Sequence, residues 1–299
     1  MQRSERFDSA DRIVSIGFWV NAVLMVFKLA AGYWGGSDAV FADGIESACD
    51  FIAIFSTMVA LRLGRKPFDE KHPYGHGRAE SLSALLISLI ILATGGWILV
   101  SSIRTIIGGH FQSPELIAVA AAFLTILVKE WLFRFTQKTG RELASPSLLA
   151  IAKDHRKDAI TSVSTLVGVT GAYFGFGIMD PLAAGITAFF ILHIGYQTFR
   201  ESAHDLMDGS APSDFIEEVT GLAESVPGVE HVHDIRGRRT GQYMVIDLKL
   251  EMDPEMTVKE SHDVATRVKE LIFEAFPNVG DVMIHVNPHD EEHIDLIRL

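Results

Sequence analysis

The sequence predicts a helical membrane domain of six spans followed by a small α+β domain with the element order αββαβ. Three observations predict it. Apolar runs close to the ~20 residues needed to cross a bilayer recur six times in the first two thirds of the chain. Charge divides unevenly: residues 1–200 hold 18 Lys and Arg against 16 Asp and Glu, and residues 201–299 hold 8 against 22. After Arg200 the long apolar runs stop and short amphipathic segments replace them. The division falls at residues 1–208 for the membrane domain and 209–299 for the soluble one.

The spans are placed by hydropathy. The first runs from about Ile13 to Tyr33, the second from Ala39 to Leu61 and the third from Leu82 to Ile103. The fourth runs from Ile117 to Phe135, the fifth from Ser147 to Phe174 and the sixth from Pro181 to Thr198. The third, fourth and sixth stand out by apolarity alone. The second and fifth score lower because they carry acids. The polar start MQRSERFDSADR has no signal-peptide pattern, so the first run is expected to stay as an anchor.

The loops give orientation. Arg3, Arg6, Arg12, Arg62, Arg65, Lys66, Lys71, Arg78, Arg134, Lys138, Arg141 and Arg200 all fall on one side. The opposite loops read GGSD, GGHFQSPE and GFGIMD, without Lys or Arg, apart from the nearby Arg104. Positive charge marks the cytoplasmic face, so both termini are expected in the cytoplasm, which needs an even number of spans. A bacterial inner membrane is the expected host.

Composition also excludes. A net charge of −12 argues against nucleic acid as a partner and suits a domain that meets cations. The single cysteine, Cys49, rules out an intrachain disulfide and a thiolate cluster. No organic cofactor is implied.

In the soluble part, Ser213–Ser225 reads as an amphipathic helix with Ser213 or Asp214 near its N-cap. Val229–Arg238 and Gln242–Met252 read as strands around a turn at Thr240-Gly241. Thr257–Phe276 is a second helix with Val264, Val268, Leu271 and Ile272 on one face, and Val282–Val286 is a last strand. Two helices on one face of a three-stranded sheet follow.

The chemistry sits inside the second and fifth spans. FADGIESACDF places Asp43, Glu46 and Asp50 in the second, and AKDHRKDAITS places Asp154 and Asp158 in the fifth. An ionised carboxylate in hydrocarbon costs about 2.5–3.5 kcal/mol on insertion scales, so such residues mark cavities and ion paths. Glu46 and Asp50 are i,i+4 and share a helix face, as do Asp154 and Asp158. Two such helices face to face bring four carboxylates to one point, which a cation or protons must neutralise. The spacing therefore predicts a metal site that also titrates and couples metal flux to protons. Asp43 is expected only to line the cavity or to sit at a helix end. Lys153, Arg156 and Lys157 are expected to snorkel to the interface. His155, about 100° round the helix from Asp154, is expected to face elsewhere.

Between the second and third spans, PFDEKHPYGHG offers Asp69, His72 and His76 within eight residues. One carboxylate and two imidazoles suit a borderline ion, and Gly75 and Gly77 let the chain bend round it. The alternative is a hydrated loop whose histidines cap the third helix.

With these features in register, ADGIESACD, HPYGHGRAES, DHRKDAITS, GVEHVHDIR and MIHVNP, the chain resembles the cation diffusion facilitators over nearly its whole length. The resemblance implies a homodimeric, proton-coupled antiporter moving divalent ions such as Zn²⁺, Mn²⁺ or Fe²⁺ out of the cytoplasm. It implies a transport site at Glu46, Asp50, Asp154 and Asp158, metal in the Asp69–His76 loop, and a cytoplasmic domain folded like a ferredoxin-like metallochaperone. Arg78 matches the basic member of an interlocking ion pair at the hinge, with Asp208 as its partner. His233, His262 and His285 match metal-binding histidines of the C-terminal domain.

Two departures matter. The transport site lacks an imidazole, and an all-oxygen site favours Mn²⁺ and Fe²⁺ over softer ions, with Zn²⁺ kept open. In the C-terminal domain Lys249 and Asn287 stand where relatives carry a histidine and an aspartate. A lysine ammonium is no ligand and repels a cation. A reduced site of His262, His285 and Asp247, with His233 and His231 nearby, is the alternative to plain surface histidines. The HDEEH stretch, His289–His293, is a weaker cluster.

Two rival readings are an intramembrane metal-dependent hydrolase and a non-transporting metal sensor. The chain has no HExxH and no nucleophile–base pair, so an enzyme is not expected. The intact acid pairs argue against a vestigial site.

Overall fold

A computed structural model describes residues 3–64, 66, 69–109, 111–142 and 146–289. Arg65 and residues 290–293 of the acidic tail lie outside the described residues, as do the side chains of Arg3 and Arg6. The chain folds as a membrane-spanning helical domain and a small α/β domain.

Six long helices come first: α1 (Arg3–Trp34), α2 (Asp38–Gly64), α3 (Ala79–Gly108), α4 (Leu116–Glu142), α5 (Pro146–Tyr173) and α6 (Met179–Leu206). At a rise of about 1.5 Å per residue each outreaches an apolar slab ~30 Å thick. The apolar runs are thus the middles of longer helices, and α1 starts ten residues before the expected Ile13. Among the described residues α1, α3, α4 and α6 are long and apolar enough to cross a membrane. In α2 and α5 the acids interrupt the apolar character.

By compactness the chain separates into two units, Met1–Ser56 with Leu86–Phe199, and Thr57–Leu85 with Arg200–Leu299. In the first unit the helices pack through small residues. Ala31, Val40, Ala118, Ala121, Ala122 and Val169 form one buried cluster, and Ala42, Cys49, Ile91, Ala184, Ala188 and Ile191 belong to another. Gly95 of α3 faces Ile191 and Leu192, and Gly195 of α6 faces Ile91 and Leu92. Such pairs let backbones approach where no hydrophobic drive separates protein from lipid. Outward, α1 exposes Trp19, Val23 and Val26 while it buries Leu24, Lys28 and Ala31. An apolar outside around a polar inside is the pattern of a helix in hydrocarbon.

The second unit contains α7 (Ser213–Glu224), β1 (His231–Thr240), β2 (Tyr243–Met252), α8 (Val258–Ala275) and β3 (Val279–Pro288). The sheet order is β1-β2-β3, with β1 antiparallel and β3 parallel to β2. The parallel pair requires a crossover, which α8 supplies. Alternation along β2 buries Met244, Ile246, Leu248, Leu250 and Met252 against Val219 and Ala223 of α7 and Val264, Val268 and Ile272 of α8.

Several details differ from expectation, among them β1, which runs His231–Thr240 rather than Val229–Arg238 and so moves the turn one residue on. Leu271, placed on the buried face of α8, is exposed, because Val264, Val268 and Ile272 fill that stripe. The last strand begins three residues earlier than Val282, since pairing with β2 recruits Val279 opposite Met244. The N-cap of α7 is Pro212, which makes no side-chain cap, so Ser213 is the first helical residue. By contrast Thr257 caps α8 in a reciprocal capping box with Glu260. The β1–β2 turn spans Gly241 and Gln242, and Gly241 takes φ +62°, the positive value a two-residue hairpin loop needs.

Candidate metal centre

Helix periodicity turns Glu46 and Asp50 of α2 and Asp154 and Asp158 of α5 toward a common space. All four line one cavity of about 550 Å³ in the first unit. Asn21 of α1, Ser47 of α2 and Lys129 of α4 share its wall. The four carboxylates lie around the cavity rather than in one tight shell. Among the described residues only Asp69, His72 and His76 bring three ligand atoms within 4.8 Å of one another.

His155 corrects the expectation drawn from helix angle. It lines the same cavity as Asp154, and its Nε2 is buried without a hydrogen-bond partner, as is Asn21 Oδ1. The 100° separation puts it on the neighbouring wall of a cavity wide enough to include both.

Two lysines escaped the sequence reading. Lys28 of α1 is 2 % exposed, and its Nζ lies 2.9 Å from Asp43 Oδ2. It also donates to Ser47 Oγ at 3.0 Å, and Ser162 Oγ of α5 lies 3.4 Å from both Asp43 oxygens. Asp43 is therefore the anion of a buried pair and is not among the cavity's lining residues. Lys129 of α4 places Nζ 2.7 Å from Asp158 Oδ2. The signal for both was present: a lysine in the middle of an apolar span is as costly as an acid and implies a partner.

In the loop before α3, Asp69 Oδ1 is 3.2 Å from His72 Nδ1, and Asp69 Oδ2 is 3.5 Å from His76 Nε2. The imidazole rings are 4.4 Å apart. Ligands about 2.1 Å from a tetrahedral ion stand ~3.4 Å apart, so this spacing fits a metal. The backbone fixes Asp69: its Oδ1 accepts from His72 N at 2.7 Å and Lys71 N at 2.9 Å. Those donors, the His72 N–H foremost, hold its carboxyl below the ordinary 3.8, which keeps it ionised for a cation.

Beyond this loop Arg78 forms an ion pair with Asp208 and donates to Leu206 O at 3.2 Å. Asp208 also lies 3.6 Å from Arg238, which lies 3.6 Å from Asp247. Gly77 fits directly under the hairpin: a Cβ there would sit 2.7 Å from Thr240 O.

The C-terminal candidates are not gathered within one protomer. His285 on β3 stands opposite Lys249 on β2 in register, Asp247 faces Arg238, and His262 sits on α8. His233 pairs with Glu251, Nδ1 to Oε1 2.9 Å, and His289 takes the other oxygen at 2.7 Å. Glu251 was overlooked because an acid at a strand end carries no spacing signal. The His289 imidazole, then His233, holds its carboxyl below the ordinary 4.5.

A family model for the cation efflux transmembrane domain matches residues 14–207, and one for the cation efflux protein cytoplasmic domain matches residues 211–289. The chain belongs to the cation diffusion facilitator family. It is 33% identical over 296 residues to the manganese efflux system protein MneP of Bacillus subtilis, covering 97% of this chain and 99% of that one. It is 31% identical over 282 residues to the magnetosome protein MamB of Magnetospirillum gryphiswaldense, covering 94% and 95%. It is 32% identical over 296 residues to metal tolerance protein C1 of Arabidopsis thaliana, covering 94% of this chain and 63% of that one.

As a member of this family the protein is an integral membrane transporter of divalent metal ions and not an enzyme, which removes the hydrolase reading. A second copy of the chain is its partner, and the metal ion is its cargo.

Proposed function

We propose that this facilitator exports Mn²⁺, with Fe²⁺ or Zn²⁺ as further substrates, in exchange for protons through Glu46, Asp50, Asp154 and Asp158. The observation that carries the reading is their shared cavity. Four carboxylates make a hard donor set, which suits Mn²⁺ and Fe²⁺. The 33% identity to a manganese efflux protein supports the same choice. Crowded carboxylates exchange metal for protons as one coupled group, with no single residue owning the proton.

In this reading all six long helices span a bacterial inner membrane with both termini in the cytoplasm. Residues 1–208 form the membrane domain and 209–299 a metallochaperone-like cytoplasmic domain for dimerisation and sensing. Asp69, His72 and His76 hold a second ion in the cytoplasmic loop, and Arg78 with Asp208 forms the hinge pair. A metal on His233, Asp247, His262 or His285 would draw ligands from two protomers, since one protomer keeps them apart.

The test is uptake of Mn²⁺, Fe²⁺ and Zn²⁺ into proteoliposomes under an imposed pH gradient. Mn²⁺ flux that depends on the gradient and disappears in Asp50→Asn and Asp158→Asn is expected. Zn²⁺ flux without Mn²⁺ or Fe²⁺ flux overturns the metal assignment, and flux that survives both substitutions overturns the site.

A further inference from the structure

The two buried lysines differ in a way that separates a structural cation from a working one. Lys28 is held from several sides, by the Asp43 carboxylate, the Asp43 carbonyl at 3.5 Å and Ser47 Oγ. It lies behind the cavity wall. Lys129 lines the cavity, and among the described residues its ammonium has one hydrogen-bond partner, Asp158 Oδ2 at 2.7 Å. An ammonium has three donors, so this cation is lightly tied, on a flexible four-carbon stem. Its one partner is a carboxylate that the transported ion needs.

We propose that Lys129 is a tethered counter-cation of the transport cavity, which holds Asp158 until a divalent ion takes that oxygen and returns to it as the ion leaves. This rests on the transport reading above. No bond is made or broken covalently and the ammonium keeps its proton: one N–H···O contact is exchanged for one metal–oxygen contact. Two effects follow from Coulomb's law. A fixed positive charge beside the site lowers the affinity for a second cation. A cation waiting to rejoin Asp158 offsets the cost of stranding that carboxylate when the metal departs. A transport site must bind well enough to load and weakly enough to unload, and Lys129 sets that balance on the protein side.

The experiment uses the full-length protein with Mn²⁺ as probe, comparing wild type, Lys129→Gln and Lys129→Arg. Calorimetry in detergent gives Kd, and proteoliposome uptake gives KM and Vmax. Lys129→Gln is expected to lower Kd and KM about tenfold and to lower Vmax at least roughly threefold, a split that lost packing alone does not produce. Lys129→Arg, which keeps the charge, is expected to retain wild-type KM.

Unchanged or weaker Mn²⁺ binding in Lys129→Gln overturns the proposal, because the lysine then orients Asp158 rather than competing for it. So does an arginine variant that behaves like the glutamine one. If Lys129→Gln does not fold, cryo-electron microscopy of the wild type with Mn²⁺ decides. The ion on Asp158 with Lys129 Nζ beyond ~4 Å supports the exchange, and an intact pair beside a bound ion ends it. The two readings fail separately. Silent Lys129 variants with an inactive Asp158→Asn sink only this inference, whereas transport by Asp158→Asn sinks both.

Discussion

Lys28 Nζ and Asp43 Oδ2 stand 2.9 Å apart, with side chains 2 % and 6 % exposed, and tie α1 to α2 behind the carboxylate-lined cavity. Each charge is tolerable there only because the other is present.

Breaking this pair from one side is therefore predicted to be worse than removing it. Lys28→Met or Asp43→Asn alone should each cost about 3–5 kcal/mol, while the double substitution recovers most of that. Reversible unfolding in mixed micelles, run as a double-mutant cycle, measures it. Additive single losses would show that the two residues act independently.

The hairpin seat under Gly77 gives a second prediction. Gly77→Ala places a Cβ 2.7 Å from Thr240 O, and backbone cannot swing aside as a side chain does. The strain should cost about 1–3 kcal/mol. It should also increase hydrogen exchange at the β1–β2 turn, read by mass spectrometry. Exchange unchanged at residues 238–243 would contradict the contact.

The sheet core is a third case. Ile246 on β2 has no exposed surface and packs between α7 and α8. Ile246→Ala should destabilise the domain by about 2–5 kcal/mol. Tyr243→Ala, on the exposed side of the same strand, should cost far less. Thermal melts of both variants compare them directly.

Glu251 makes stability depend on acid pH. Its folded pKa lies below the ordinary 4.5, through hydrogen bonds from His289 first and His233 second. A depressed carboxyl contributes stability that is complete above the unfolded value and is lost as pH falls through the folded one. The contribution should thus be present at neutral pH and fade below about 4.5. Carboxyl-carbon NMR of selectively labelled glutamate, with Glu251→Gln as the assignment control, should find the Glu251 carboxyl titrating below the ordinary value, together with that of Glu260, which accepts from Thr257. A Glu251 midpoint at or above the ordinary value would remove the claim.

The candidate site was legible because membrane burial makes charge expensive. Glu46, Asp50, Asp154 and Asp158 each break an apolar run, and the i,i+4 spacing assigns each pair one face. The same rule applied to Lys28 and Lys129 would have found them, since each interrupts an apolar span as the acids do. His155 was misplaced because an angle on one helix says nothing of how wide the facing cavity is. Glu251 left no trace, because its partners His233 and His289 are 18 and 38 residues away and meet it only through sheet pairing.

Local physics fixed from sequence what depends on neighbours along the chain: the long apolar helices, the αββαβ order, the Thr257 cap region, the Asp69–His76 loop and the paired acids. Tertiary structure alone decided which of the buried charges in the helices neutralise one another. It joined Asp43 to Lys28 and Asp158 to Lys129, left Glu46, Asp50 and Asp154 to the cavity, and seated Gly77 beneath Thr240. The reason is that ion pairing acts over a few ångströms in space, and helices bring together residues that the sequence separates by 15 and 29 positions.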